Sequence, residues 1–250
     1  MISIGCPIFR SVAFCDFIYK SLHEHTPHLH DGRAELFFVA NDATQEVLDH
    51  LVGAGYKHFV HTNTHRTDEE NAARRIAKPD YLARVYRCLN RMMFEASGDT
   101  VIYVSSDMAF SPGWLDALLA EDDGNTLVTS QLVEPSPRIN SAAGAILGDF
   151  GHHPSEFNKK AFEAVAREKR VQGTRLGGQY VPMLIPVELF HMNGGFPEGN
   201  VGTASEFGIA GDRVFVDRYV RLGARHITAT NSVVYHFTEG EMREPSRDDS

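Results

Sequence analysis

The chain has 250 residues, of which 42% are hydrophobic and 16 are Phe, so it can bury a substantial core and is neither disordered nor fibrous. Its formal net charge of −9 argues against a protein whose main partner is nucleic acid, because such proteins usually carry a basic surface. Its three cysteines are odd in number and lack metal-site spacing, and no apolar run approaches the roughly 18 residues of a membrane span. Since a signal-peptide pattern is also lacking, we expect a reduced, soluble, cytoplasmic protein.

Short apolar segments alternate with longer amphipathic ones along the first half of the chain. The pattern predicts strands at 2–6, 35–40, 58–62 and 101–106, and helices at about 11–25, 44–54 and 80–97. This alternation is typical of βαβ units and a largely parallel sheet. Ser111 followed by Pro112 predicts the start of the next helix, with a capping hydroxyl and a proline in the first turn.

The second half is less regular. It predicts strands at 126–133, at 180–187 and at the end of 224–236, with a charged helix at about 157–171. A further helix opens at Asp212, and we expect Phe215, Tyr219 and Leu222 to form its buried face. Without an internal repeat or a low-complexity linker, the chain is predicted to form one α/β domain.

Polar residues follow three of the predicted strands. Pro7–Arg10 comes after the first strand, Asn41 and Asp42 after the second, and Asp107 after the fourth. In open α/β sheets, ligands bind beyond the carboxyl ends of parallel strands. The sequence therefore predicts a ligand-binding edge to which these three segments contribute.

Seven motifs, spanning residues 2 to 241, resemble in their order the GT-A fold of family 2 glycosyltransferases. They are "ISIGCPIFRS", "LFFVANDAT", "RVYRCLNRMMFEASGDTVIYVSSDM", "FSPGWLDALL", "MNGGFPEG", "GDRVFVDRYVRLGAR" and "SVVYHFTEGE". The chain departs from the family where Ser105 replaces the first acid of Asp-x-Asp, and where Ala40, Pro197 and Gly211 replace other family acids. The two family acids that lie closest to the reacting atoms are kept in this chain, as Asp107 and Asp212.

The resemblance implies a Rossmann-like α/β fold with a mixed, mostly parallel sheet flanked by helices. Residues 1–110 would form the nucleotide-sugar-binding half, 111–242 the acceptor-binding and catalytic half, and 243–250 a mobile tail. The implied activity is an inverting, metal-dependent transfer of a sugar from a nucleotide diphosphate sugar, a UDP-sugar by preference, to an acceptor hydroxyl. The sequence names no acceptor, so a glycan, a lipid-linked sugar, a protein and a modified nucleobase all stay open, as does the oligomeric state.

The resemblance also assigns roles to individual residues. Asp107 and His236 would bind Mn²⁺ or Mg²⁺, and Asp212 would act as the general base. The donor-binding residues would be Pro7, Phe9, Arg10, Asn41, Asp42, Arg84, Ser105, Ser106, Gly194 and Gly195.

Simpler interpretations exist for most of these residues. Asp107 and Asp212 could each cap a helix, and Arg84 could belong to a solvated helix face. His236 could be a half-buried strand histidine, and the two glycines could serve a turn. The histidines at 23, 25, 28, 30, 152 and 153 fit no ligand spacing and are interpreted as polar loop residues.

Two other functions remain open from the sequence. The lost family acids are compatible with a catalytically inactive sugar-nucleotide-binding module. A related nucleotidyltransferase ranks lower, because "CPIFRS" lacks the glycine-rich first loop of that class.

Overall fold

A computed structural model of the chain describes residues 1–76, 80–135, 144–202, 208–238 and 240–243. The tail predicted at 243–250 therefore lies, from residue 244 onward, outside the described residues. None of the helices in these ranges is long and apolar enough to cross a bilayer.

Strands and helices alternate through the first half of the chain, as its sequence predicts. The strands are β1 (Ile2–Ile8), β2 (Ala34–Asn41), β3 (His58–His61), β4 (Thr100–Tyr103), β5 (Met108–Phe110), β6 (Thr126–Glu134), β7 (Ile146–Leu147), β8 (Thr174–Leu176), β9 (Met183–Pro186) and β10 (Arg225–His236). The helices are α1 (Val12–His25), α2 (Gln45–Gly53), α3 (Asp68–Ala73), α4 (Asp80–Glu95), α5 (Trp114–Leu119), α6 (Lys159–Lys169), α7 (Val187–Asn193) and α8 (Gly211–Arg221).

The ten strands of the described residues belong to one mixed sheet with the order β3-β2-β1-β4-β9-β6-β10-β5, in which β7 adds to β6 and β8 to β10. β3, β2, β1 and β4 pair in parallel, and β6 pairs in parallel with β10. β9 is antiparallel to both β4 and β6, so β6 and β10 run in the same direction as β4. The carboxyl ends of β1, β2, β4, β6 and β10 consequently meet at one edge, and the predicted α/β fold class is confirmed.

Helices cover both faces of the sheet. On one face, buried side chains of α1, α2 and α5 pack with Ile4, Phe38 and Ile102, and on the other, those of α4, α7 and α8 pack with Phe37 and Val101. Neighbouring residues of one strand point to opposite faces, which is why two apolar layers form and why these strands are apolar throughout.

Trp114, the single tryptophan of the chain, is fully buried at the start of α5. Its indole Nε1–H donates to the Thr26 hydroxyl over 3.1 Å, and its ring lies 4.3 Å from that of Phe110. The donor of the buried indole is thereby paired, as a buried polar group requires.

The helix predicted to begin at Ser111 begins later, so that prediction is wrong. α5 starts at Trp114 after Gly113, which has a left-handed conformation. The Ser111 hydroxyl donates to the carbonyl of Val233 over 2.7 Å instead of capping the helix. The Ser111 hydroxyl, which the sequence pattern assigned to capping the helix, therefore makes a tertiary hydrogen bond to β10 instead.

The buried face of α8 is also narrower than the sequence predicts. Phe215 and Tyr219 are buried, but Leu222 is 65% exposed. The helix ends at Arg221, so Leu222 lies beyond the last helical residue and does not continue its buried stripe.

Candidate active site

Asp107 and His236 lie side by side at the carboxyl edge of the sheet. β5 follows Asp107 directly and pairs antiparallel with the end of β10, where Met108 lies opposite His236. This pairing brings Asp107 Oδ2 within 3.3 Å of His236 Nε2, although the two residues are far apart in the sequence. Asp107 is buried and also accepts a hydrogen bond from the Ser105 hydroxyl. It therefore does not serve as a helix cap, the simpler interpretation of this residue.

A third charged residue, Glu134, completes this group and was not identified from the sequence. It is the last residue of β6, is 1% exposed, and accepts a hydrogen bond of 2.9 Å from His236 Nδ1. Burial acts to lower the pKa of His236, but Asp107 and Glu134 outweigh it and raise this pKa to about 10. Burial likewise acts to raise the pKa of Asp107, which the neighbouring His236 holds below its usual value. Without a cation the imidazole of His236 is thus protonated, and a cation bound at Nε2 would take the place of that proton.

The Asp107–His236 pair has the spacing that a divalent cation needs. Two ligand atoms about 2.1 Å from one ion, at right angles to each other, are about 3 Å apart. The observed separation of 3.3 Å requires only a small adjustment. Glu134 holds Nδ1, so Nε2 is the ring nitrogen directed at Asp107, as in metal sites where a carboxylate orients a histidine ligand. The residues present therefore fit a cation bound through one carboxylate oxygen and one imidazole nitrogen.

β1 extends to Ile8, beyond the predicted strand 2–6, so Pro7–Arg10 comprises the end of this strand and the turn after it. This segment, called the first loop below, contacts the same group through Glu241, another residue that the sequence did not single out. The Glu241 carboxylate accepts hydrogen bonds from the backbone N–H of Arg10 at 2.6 Å and from the Ser106 hydroxyl at 2.7 Å. Burial raises the pKa of Glu241. Its neighbour Gly240 is so close to Asp107 that a Cβ there would lie 2.5 Å from Oδ2. Pro7–Arg10, Ser106, Asp107 and residues 240–241 are thus contiguous.

Asn41 and Asp42 form a second polar group where β2 ends. The buried Asn63 donates to the Asn41 side chain at 2.7 Å and to Asp42 at 2.8 Å. Asp42 has a φ of +47°, and Arg84 lies 3.7 Å from its carboxylate. Burial acts to raise the pKa of Asp42, but the hydrogen bonds from Asn63 and the charge of Arg84 hold it below its usual value. These residues form a hydrogen-bonded polar platform beside the first loop.

Asp212 is the second residue of α8, and Ala210 holds the N-cap position. Its Oδ1 accepts a hydrogen bond of 2.7 Å from the N–H of Arg213. Burial raises the pKa of Asp212. Burial, followed by the charges of Asp212 and Asp107, also raises the pKa of Tyr103 well above its usual value, which places this phenol within electrostatic reach of both acids. Tyr103 is the last residue of β4 and was not singled out from the sequence.

The loop that contains Gly194 and Gly195 is held by α4 and α8. The Asn90 side chain donates to the carbonyl of Phe196 at 2.9 Å and accepts from its N–H at 2.8 Å. The Arg218 guanidinium donates to the carbonyls of Asn193 and Gly195. Gly194 and Gly195 have φ angles of +78° and +77°, which glycine adopts without strain.

The interpretation of the histidines at 23–30 as polar loop residues is wrong for His23 and His25, which belong to α1. It is also wrong for His28, which is buried in a short 3₁₀ helix, Pro27–Leu29. His25 is buried and lies 3.2 Å from Glu163, with Glu24 close by. Within the described ranges, these three residues form the one group of at least three His, Cys, Asp or Glu side chains close enough to share a metal ion. Lys159 pairs with both glutamates, so its ammonium already supplies a positive charge there.

Solved structures of glycosyltransferases share this fold. The chain aligns over 96% of its length with the mannosyltransferase PcManGT from Pyrobaculum calidifontis in complex with GDP-Man and Mn²⁺, with a TM-score of 0.58 and 13% identity. It aligns over 95% of its length with residues 1–349 of S. aureus TarS, with a TM-score of 0.57 and 14% identity. The chain covers 57% and 60% of those two chains, respectively.

No protein-family model and no curated protein sequence matches the chain. At such low identity, the likeness to the two solved structures establishes the fold. It confirms the Rossmann-like α/β fold, with a mixed, mostly parallel sheet flanked by helices, that the order of motifs predicted.

Proposed function

We propose that the protein is an inverting, divalent-cation-dependent glycosyltransferase that moves a sugar from a nucleoside diphosphate sugar to an acceptor hydroxyl. The observation that carries this proposal is the Asp107–His236 pair, 3.3 Å apart at the carboxyl edge of a sheet with this fold. Residues 1–110 form the donor-binding half in this proposal, and 111–242 form the acceptor-binding and catalytic half.

Asp107 Oδ2 and His236 Nε2 would hold the cation, and Glu134 orients the imidazole. When bound, Mn²⁺ or Mg²⁺ stabilises the negative charge of the departing diphosphate. An imidazole ligand favours Mn²⁺, because Mg²⁺ prefers oxygen ligands. PcManGT was solved with GDP-Man and Mn²⁺, which supports this class of donor and this metal. Our preference for a UDP-sugar rests on the sequence resemblance, so both nucleotides belong in any test.

The base and ribose of the donor would lie between Pro7–Arg10, the Asn41–Asp42 platform and Arg84. These segments follow neighbouring parallel strands or lie on the adjacent helix, at the edge where ligands bind in open α/β sheets. Ser105 and Ser106 would contact the donor beside Asp107. The loop with Gly194 and Gly195 would line the sugar-binding region, where Asn90 and Arg218 keep it fixed.

Asp212 is the proposed general base, which takes the proton of the acceptor hydroxyl as that oxygen attacks the anomeric carbon. Its pKa is raised by burial, and a raised pKa makes a carboxylate a stronger proton acceptor. It stands near the start of a helix whose buried Phe215 and Tyr219 fix its position. A single direct displacement at the anomeric carbon inverts its configuration.

Calorimetry with UDP- and GDP-sugars, with and without Mn²⁺, tests the donor and metal assignments together. We expect Mn²⁺-dependent binding to the parent protein and its loss in Asp107→Asn. Asp149→Asn serves as the matched control, because Asp149 is a half-exposed acid paired with His152. If Asp107→Asn binds nucleotide and Mn²⁺ as the parent does, the assignment is wrong.

A catalytically inactive sugar-nucleotide-binding module is the second candidate. The observation that favours it is Ser105, whose hydroxyl bonds to Asp107 where the family motif has its first acid. The two candidates differ in turnover. An enzyme should slowly hydrolyse its donor in Mn²⁺ without an acceptor, whereas a binding module should bind the same donor and release no sugar.

A further inference from the structure

Four hydrogen-bond donors converge on the carboxylate of Glu241. Three are the successive backbone N–H groups of Phe9, Arg10 and Ser11, at 3.2, 2.6 and 2.9 Å, and the fourth is the Ser106 hydroxyl at 2.7 Å. Successive N–H groups that open a helix bind phosphate oxygens in many proteins, and here α1 follows directly. The converging groups form an oxyanion site, and the anion in it is a side chain of the chain itself.

The occupant comes from a segment about 230 residues away in the sequence, and that segment also covers the proposed cation ligand. Gly240 contacts Asp107 closely enough that a Cβ would lie 2.5 Å from Oδ2. The Arg10 side chain donates to the Glu241 carbonyl at 2.8 Å, which adds a second attachment to the first loop. Residues 240–241 therefore occupy the place next to Asp107 where a ligand of that carboxylate would approach.

The backbone that leads into this segment is strained. Thr238 has a φ of +69°, a left-handed conformation that β-branched residues rarely adopt, whereas glycine adopts the +45° of Gly240 without strain. Such strain persists only where surrounding contacts hold it. On one side of Thr238 the Phe237 N–H donates to the Asp107 carbonyl at 3.0 Å, and on the other lie the hydrogen bonds to Glu241.

We propose that the Glu241 carboxylate occupies the binding position of a donor phosphate group, so that the 240–243 turn must move away before a diphosphate can bind. The proposal rests on the proposed function for the identity of the natural ligand, a nucleoside diphosphate sugar. Two anions cannot share the four donors, so the carboxylate and a phosphate compete directly. The apparent affinity for a diphosphate is then the intrinsic affinity multiplied by the fraction of molecules in which the Glu241 carboxylate has left the four donors.

Inorganic pyrophosphate is the probe, since it carries the diphosphate chemistry without a base or sugar. Its dissociation constant is measured by calorimetry for the parent, Glu241→Gln and Glu241→Ala. We expect at least about tenfold tighter binding in both variants, the gain that follows when the bound form of Glu241 is populated to about 90%. Glu168→Gln is the matched control, because Glu168 is an exposed acid on α6, and it should bind as the parent does.

Ser106→Ala in the Glu241→Ala background tests the location, because loss of one of the four donors should weaken pyrophosphate binding again. Unchanged or weaker binding of pyrophosphate in both Glu241 variants would overturn the proposal, as would a Ser106→Ala change without effect. Far-UV circular dichroism verifies that each variant is folded. If the protein turns over nucleotide sugars but the Glu241 variants bind pyrophosphate no more tightly than the parent, only this inference is wrong. If pyrophosphate responds as expected but no nucleotide sugar binds, the proposed function fails and the oxyanion site stands.

Discussion

The two adjacent glycines of the 193–196 loop should differ sharply in their tolerance of a side chain. Gly194→Ala and Gly195→Ala both force alanine into a left-handed conformation, which costs about 1–2 kcal/mol of folding free energy. A Cβ at Gly194 meets no atom within 4 Å, so the left-handed conformation is the only cost of the Gly194→Ala substitution. A Cβ at Gly195 would lie 2.7 Å from Asn90 Oδ1 and 2.9 Å from the Phe190 ring.

The Gly195 variant therefore also disturbs the paired hydrogen bonds between Asn90 and the backbone of Phe196. Leaving one such partly buried group unsatisfied costs a further 1–3 kcal/mol or so. We expect the free energy of unfolding to fall by about 1–2 kcal/mol in Gly194→Ala and by about 2–5 kcal/mol in Gly195→Ala.

Urea unfolding of the two variants and the parent measures this difference. For a chain of this size, each kcal/mol corresponds to a melting-temperature shift of about 2–4 °C. Equal destabilisation by the two substitutions would refute the reasoning, because the contacts with Asn90 and Phe190 are what separates them. A Gly194→Ala variant of near-expected stability that loses donor binding would instead show that this glycine approaches a ligand, as the sequence resemblance implies.

Three further outcomes follow from the site and the core. Asp212→Asn should lower turnover by about 10²- to 10⁴-fold with nucleotide affinity unchanged. Because the base works only when deprotonated, the parent should lose activity as pH falls through the raised pKa of Asp212, and the pH–rate profile of the variant should lack that acidic limb. Glu134→Ala should lower the free energy of unfolding by about 1–3 kcal/mol, because the His236 Nδ1–H loses its acceptor. Glu134→Gln should recover part of this stability in urea unfolding, while NMR titration of the metal-free protein should show a lower pKa of His236 in both variants than in the parent. Phe215→Ala should cost about 3–5 kcal/mol in the same unfolding assay, whereas Leu222→Ala should stay within about 0.5 kcal/mol of the parent.

The elements predicted most accurately are those with a strong local pattern. α1, α2 and α4 lie within a few residues of their predicted bounds, because each spans at least two turns of apolar periodicity. α3 has only six residues, although Thr67 and Glu70 form a capping box that is visible in the sequence. β5 has three residues, too few for any period, and exists because β10 pairs with it.

The residues of the site, too, could be predicted only where the sequence around them carries a local pattern. The position of Asp107 follows from its place directly after an apolar strand, and that of His236 from its place at the end of another. Glu134 could have been found as the single acid that ends the otherwise uncharged β6. Glu241 has no such local signal, since its role depends on which backbone groups the fold brings to it. Sequence patterns thus identify strand ends, but only the three-dimensional pairing shows which charges meet there.

The buried indole of Trp114 gives the protein an intrinsic fluorescence signal that depends on its fold. Its surroundings are apolar and its N–H is bonded to Thr26, so its emission should be shifted to short wavelength in the folded chain and should move to longer wavelength when water reaches the ring. Because the chain has no other tryptophan, this signal reports on one place in the core, under the sheet face that α1 and α5 cover. The intensity should follow unfolding of that layer, while a nucleotide that binds at the strand edge should leave the emission wavelength unchanged.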